Sequence, residues 1–151
     1  MRQTLRDPFE QVHIRRFEQT SAIAVSMLVD VSASMAFAGR TRKQALTAEL
    51  ATVIAGSAIR TGDTFSLRAA DTRPNAHLTL HATRSRTAAM RAANALRGFN
   101  ATGRGSDGLA QAAALVGTRR GLVFLVSDFL MPEAELESVF TALSRHDVVP
   151  I

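Results

Sequence analysis

Two short stretches carry the residues that could do chemistry. Asp30-Val31-Ser32-Ala33-Ser34 follows an apolar run over residues 23–29, and Ser127-Asp128 follows a second apolar run over residues 122–126. Together they offer two carboxylates and two or three hydroxyls. All of these are hard oxygen donors, which suit magnesium, manganese or calcium and disfavour zinc or copper. Ser32 and Ser34 stand two apart in a turn, so both hydroxyls can face one cation while Asp30 binds it directly or through water. Neutral hydroxyls compensate the ion's charge only in part, leaving it electrophilic, with an open position that an acidic side chain from a partner would complete. Taken alone, small polar residues after a strand also serve as capping groups. The context adds weight: buried strands before both motifs, a long helix after the first, and a glycine-rich loop ahead of the second strand.

The elements that must position these residues follow an alternating pattern. A polar-edged strand is expected over residues 12–18, then the fully apolar strand over 23–29, of the kind covered on both faces. A long helix over 41–60 follows, with Leu46, Leu50, Val53 and Ile54 at helical spacing and Gly62 as its stop signal. Strands over 64–70 and 76–81 are joined by the turn-rich Asp71-Thr72-Arg73-Pro74-Asn75. Helices are expected over 85–97, 109–116 and 132–144, the last opened by Pro132, with strands over 122–126 and 148–151. Strands alternating with helices in this way predict an α/β fold, with a mostly parallel sheet covered on both faces and an antiparallel edge strand. In such a sheet ligands bind where the strands end, which is where both polar motifs lie.

In this order the motifs resemble a known family. Asp30-Val31-Ser32-Ala33-Ser34-Met35 is similar to the metal-ion-dependent adhesion site of von Willebrand factor A-like domains. Phe17-Glu18, the run from Met27 to Met35, and Leu125-Val126-Ser127-Asp128-Phe129-Leu130 resemble the bacterial domain-of-unknown-function fifty-eight branch. Members of that branch are typically encoded beside MoxR-type AAA+ ATPases. The resemblance spans residues 12–151 and implies a Rossmann-like fold. It assigns Asp30, Ser32 and Ser34 to the first metal loop and Asp128 to the last, with Mg2+, or Mn2+ or Ca2+, as the cofactor. The family's middle-loop threonine corresponds to Ser106, with Asp107 and Thr102 as alternatives at that turn. Residues 1–11 read as an N-terminal extension, and the family's last strand and helix are expected to be missing or cut short. Met35 and Phe37 after the first loop, with Phe129 and Met131 after the last, are candidates for an apolar rim that binds the partner. Phe37 and Leu130 have a plainer reading, as residues turned inward over the helices.

Composition narrows the function further. The chain has 151 residues, 46% hydrophobic and 21% charged, and no cysteine, which removes thiolate metal sites and cysteine nucleophiles. The net charge is +5, and of 18 basic residues Lys43 is the single lysine. An arginine-rich surface favours acidic proteins, phosphates or nucleic acid. However, the arginines are scattered, and tryptophan and tyrosine are absent, so base stacking has few platforms and nucleic acid is not an expected partner. No apolar run reaches membrane-spanning length, and residues 1–7 carry no signal-peptide core, so a cytoplasmic location is expected.

His13, His77, His81 and His146 are scattered and read as structural or solvated, and no nucleophile elbow or P-loop is present. Glu133, Glu135 and Glu137 read as solvated groups at the positive end of the last helix. The expected function is a non-catalytic, divalent-metal-dependent protein-binding module. Its partners would be an acidic protein and, as the resemblance implies, a MoxR-type AAA+ ATPase. The alternative is a magnesium-dependent phosphoryl-transfer or hydrolytic enzyme. Against that alternative, no second carboxylate lies two residues after Asp30, and Lys43 is expected to begin a helix rather than to serve the site.

Overall fold

β-Branched and leucine-rich runs form the centre of the sheet. In the computed structural model, which describes residues 22–36, 42–103 and 105–151, five strands are ordered β3-β2-β1-β4-β5. They are β1 (Ala24–Asp30), β2 (Thr64–Ala70), β3 (Leu80–Thr83), β4 (Leu122–Val126) and β5 (Asp147–Pro150). β1 pairs in parallel with β2 and β4, and β4 with β5, whereas β2 and β3 run antiparallel. The expected α/β class and antiparallel edge are therefore what the chain adopts. The strand expected over residues 12–18 lies outside the described residues.

Alternation along β1 divides the core into two layers. Beyond the short α1 (Ala33–Ala36), Val25, Met27 and Val29 face α2 (Lys43–Arg60) and α3 (Arg86–Gly98), in a cluster that includes Phe65, Leu67, Ala89, Ala93 and Leu96. Leu28 faces the other side, where Leu109, Ala112, Val123, Leu125, Val139 and Leu143 gather beneath α4 (Gly108–Ala114) and α5 (Glu133–Ala142). Burial on both faces explains why β1 reads as a continuous apolar run rather than an alternating one.

The long helix is present, but its innermost stripe is not the one its large residues mark. Ala48, Ala51, Ala55 and Ala58 are buried and Leu50 and Ile54 pack half-buried against the same cluster, whereas Leu46 and Val53 are 49% and 68% exposed. The alanines recur at helical spacing and have short side chains, so α2 lies close against the sheet and the alanines of α3. Gly62, at φ +86°, ends the helix in a conformation that disfavours any residue with a Cβ.

The second strand of the hairpin is displaced from its expected place. Residues Ala76–Leu78 form a 3-10 turn because the Asn75 side chain accepts from His77 N at 3.0 Å and Leu78 N at 3.2 Å. This local bond competes with strand pairing, so β3 starts only at Leu80. The turn carrying Asp71 and Arg73 packs directly on the loop before α4. A Cβ placed on Gly108 would stand 2.3 Å from the Arg73 Cα, and Gly108 N donates to Asp71 O at 2.9 Å. No described helix is long and apolar enough to cross a membrane.

These contacts lead to two expected effects on stability. Gly108→Ala meets backbone that cannot yield locally, so urea unfolding is expected to show a loss of about 1–3 kcal/mol. Asp63 accepts from Thr61 Oγ1 at 2.7 Å and from Ile23 N at 2.7 Å, and these bonds, in that order, hold its carboxyl below the ordinary range, aided by the Arg84 charge. A lowered folded-state pKa contributes stability that is present above the unfolded value and is lost as pH falls through the folded one. The stability gap between wild type and Asp63→Ala is therefore expected at pH 7 and should close in acid titration below the ordinary carboxylate range.

Candidate metal centre

The exits of β1 and β4 lie side by side because the two strands pair in parallel, with Val29 opposite Val126. Asp30, the last residue of β1, is 2% exposed. A buried carboxylate must be satisfied, and each of its oxygens is: Oδ1 accepts from Ser32 N at 2.9 Å and Oδ2 from Ser127 Oγ at 2.7 Å. The first bond curls the loop after β1. The second bridges the two strand exits.

From that loop a chain of oxygens runs outward. Ser32 Oγ and Ser34 Oγ are 3.0 Å apart, and Ser34 Oγ donates to Asp128 Oδ1 at 3.2 Å. A six-coordinate magnesium ion, with bonds of about 2.1 Å, places adjacent ligand oxygens about 3 Å apart. The two observed separations are hydrogen-bond distances that are also compatible with neighbouring ligand positions on such an ion, and the donor set is entirely oxygen, so these residues fit a hard divalent cation. Among the described residues no three His, Cys, Asp or Glu side chains group as a metal site, so such an ion would depend on hydroxyls and water beside its carboxylates.

Asp30, Ser32, Ser34 and Asp128 thus belong to one hydrogen-bonded network at the paired strand exits. Ser106 is turned elsewhere: it is buried, and its hydroxyl donates to Glu135 Oε2. Glu135 is accordingly not a merely solvated group at the start of α5. The loop holding Ser106 still approaches the first motif, since Ala33 N donates to Gly103 O at 2.7 Å. Thr102 and Asp107 are both exposed.

The apolar candidates separate as well. Met35 is 6% exposed and belongs to the core beneath α2, so it is not part of an exposed rim. Phe129 and Met131 are half-buried against the second core cluster. Leu130, read as turned inward, is 76% exposed instead. Phe37 lies outside the described residues.

The surprise of the site is Lys43. Lys43 begins α2 as expected, but the expectation that no lysine sits near the site is wrong: α2 begins so close to the strand exits that Lys43 Nζ donates to Asp128 Oδ2 at 2.9 Å and to Ser34 O at 3.4 Å. Burial pushes the Asp128 carboxyl up. Hydrogen bonds from Lys43, Leu130 N and Ser34, together with the Lys43 charge, outweigh that push and hold it below its ordinary value. A second feature beyond the sequence reading is Phe129, the one described non-glycine residue with positive φ, at 56°. Such a backbone for a bulky residue costs about 1–3 kcal/mol and persists only where its surroundings hold it. Here Phe129 N donates to Ser127 Oγ at 2.9 Å while the ring packs on the second core cluster. That turn carries Asp128. The one sequence signal for Lys43 was its singularity among 18 basic residues, and none marked Phe129.

Known proteins share this architecture. BatB, a conserved hypothetical protein from Bacteroides thetaiotaomicron, superimposes with a TM-score of 0.63 at 14% identity, over 85% of this chain and 65% of its own. An aerotolerance-related membrane protein from Bacteroides fragilis NCTC 9343, crystallised with multiple mutations to serines, gives 0.56 at 16% identity, over 85% and 66%. The pilus adhesin SpaC from Lactobacillus rhamnosus GG, in its open conformation, gives 0.53 at 12% identity, over 76% of this chain and 15% of its own. At such identities the likeness is one of fold, and the chain spans about two thirds of the length of the first two. No curated protein matches it. The model of the family described as protein of unknown function DUF58 matches residues 5–151. The chain belongs to the DUF58 family.

Proposed function

We propose that this domain is a non-catalytic protein-binding module that uses a divalent cation, Mg2+ or else Mn2+ or Ca2+, to capture an acidic side chain of a partner. The observation that carries this reading is the run of oxygens from Ser32 Oγ through Ser34 Oγ to Asp128 Oδ1, spaced at 3.0 and 3.2 Å. Asp30 supports the run from beneath through Ser32 N. When bound, the cation would supply an electrophilic centre with an open position for a carboxylate. Ser32, Ser34 and Asp128 would hold it, with Asp30 as a close or water-separated counter-charge. The exposed Leu130, next but one to Asp128, would give the partner an apolar contact beside the ion. One structural neighbour is a pilus adhesin, which agrees with an adhesive use of the fold. A MoxR-type AAA+ ATPase is the proposed assembly partner on the strength of the sequence resemblance to the domain-of-unknown-function fifty-eight branch, with the cytoplasm as the proposed location.

Lys43 favours a second reading, because a lysine beside a carboxylate and hydroxyls also suits magnesium-dependent phosphoryl transfer or hydrolysis. Asp30 argues against it. At 2% exposure, with both oxygens engaged, it offers no open approach as a nucleophile.

Thermal melting tests the metal. With free Mg2+ or Mn2+ about 100-fold above its dissociation constant, the wild-type Tm is expected to rise by about 5–10 °C, and Asp128→Ala should lose the rise. An unchanged wild-type Tm, or an equal rise in the variant, overturns the reading. Metal-dependent turnover of a phosphoester that is abolished by Asp30→Asn would promote the enzymatic alternative instead.

A further inference from the structure

We propose that Lys43 is a tethered cation that competes with the divalent ion for Asp128, so that uptake of the metal and release of the Lys43 ammonium are one coupled event. The inference rests on the metal reading above and adds to it a regulator within the same chain.

Three observations carry it. Asp128 divides its carboxylate between two directions: Oδ1 meets Ser34 Oγ and Leu130 N, while Oδ2 meets the Lys43 ammonium at 2.9 Å. Any cation drawing on Asp128 therefore shares it with a positive charge already in contact. The second is charge balance. Asp30 and Asp128 supply two negative charges and Lys43 one positive, so adding a divalent ion while the ammonium stays in place leaves a surplus positive charge where both carboxylates are shielded from water. The third is asymmetry of exposure. The Asp128 side chain is 10% exposed and fixed by its turn, whereas Lys43 is 38% exposed on a flexible four-carbon stem. An open groove of about 330 Å3, bordered by Lys43, Leu46, Leu50, Val126 and Asp128, lies beside the pair. The lysine can leave Asp128 for that space and water without disturbing the core; Asp128 cannot leave the lysine. Coupling of this kind is reciprocal, so each cation weakens the hold of the other by the same factor.

The single lysine makes both halves measurable on the intact chain. Mn2+ binding is compared in wild type, Lys43→Met and Lys43→Arg, and the acetylation rate of Lys43 in the wild type is followed by peptide mass spectrometry with and without Mg2+. Mass spectrometry separates Lys43 from the α-amine. Mn2+ is expected to bind Lys43→Met about tenfold or more tightly than wild type, and Lys43→Arg no more tightly than wild type. Acetylation of wild-type Lys43 should speed up several-fold in Mg2+. Measurable binding in Lys43→Met alone also supports the proposal.

Equal affinity in wild type and Lys43→Met, or weaker binding in the latter, overturns it while leaving the metal site standing. Unchanged Lys43 reactivity at saturating Mg2+ also overturns it, because the ammonium would then stay beside the ion. Absence of Mn2+ binding in all three proteins removes the metal reading and this inference together. Should Lys43→Met fail to fold, wild type acetylated at Lys43 after folding replaces it, since acetylation removes the charge and keeps the stem.

Discussion

The buried carboxylate of Asp30 is the constraint on which the site depends. Removing an ionised group from water is costly unless it is hydrogen-bonded, and at 2% exposure Asp30 receives its bonds from two different strand exits, Ser32 N on its own and Ser127 Oγ on β4. Each bond fixes something further. The first sets the curl that places Ser32 Oγ near Ser34 Oγ. The second holds Ser127, whose hydroxyl in turn accepts from Phe129 N and stabilises the left-handed turn that presents Asp128. The outer carboxylate is thus aimed by the inner one, through a serine and a strained phenylalanine. This is preorganisation by hydrogen bonding rather than by packing alone, and it suits a place where packing must leave room for a ligand.

The sheet supplies what that network needs, two strand ends at the same level. Parallel pairing of β1 with β4 makes both carboxyl ends open on one edge. The alanine stripe of α2 then matters for function as well as stability. By letting the helix approach the sheet closely, it brings Lys43, the first residue of α2, within reach of Asp128. A bulkier stripe would lift the helix and move the ammonium away.

How much of this the sequence shows depends on the range of the interaction. Local signals are legible: the apolar runs give β1 and β4, the spacing of apolar residues gives α2, and hard oxygens at the strand ends give the network of Asp30, Ser32, Ser34 and Asp128. What is not legible depends on closure in three dimensions. The sequence marks Leu46 and Val53 as apolar at helical spacing, yet which face of α2 turns inward is decided by how closely the backbones approach, and alanine wins. Ser106 is matched by its place in a loop, but Glu135 from a helix 29 residues later captures its hydroxyl. The start of β3 is displaced by a bond from Asn75 to its own neighbours, a competition that residue preferences for strand do not register.

The identity of the cation at Asp128 gives the composition its meaning. Of 18 basic residues, 17 are arginines, and the remaining lysine is the one in contact with the candidate metal ligands. A guanidinium would hold Asp128 through a planar fork, bidentate and difficult to displace. An ammonium is a point charge on a flexible stem and makes a single contact with the carboxylate here. An arginine pair among the described residues shows the contrast: Arg120 meets Asp147 with two donors on two oxygens, at 3.2 and 2.7 Å. That contact serves a surface where permanence does no harm. At Asp128 permanence would close the site, because a carboxylate locked in a fork has less to offer a divalent ion. The positive charge that serves there is therefore the exchangeable kind, and the surplus of +5 sits mostly in groups that do not exchange.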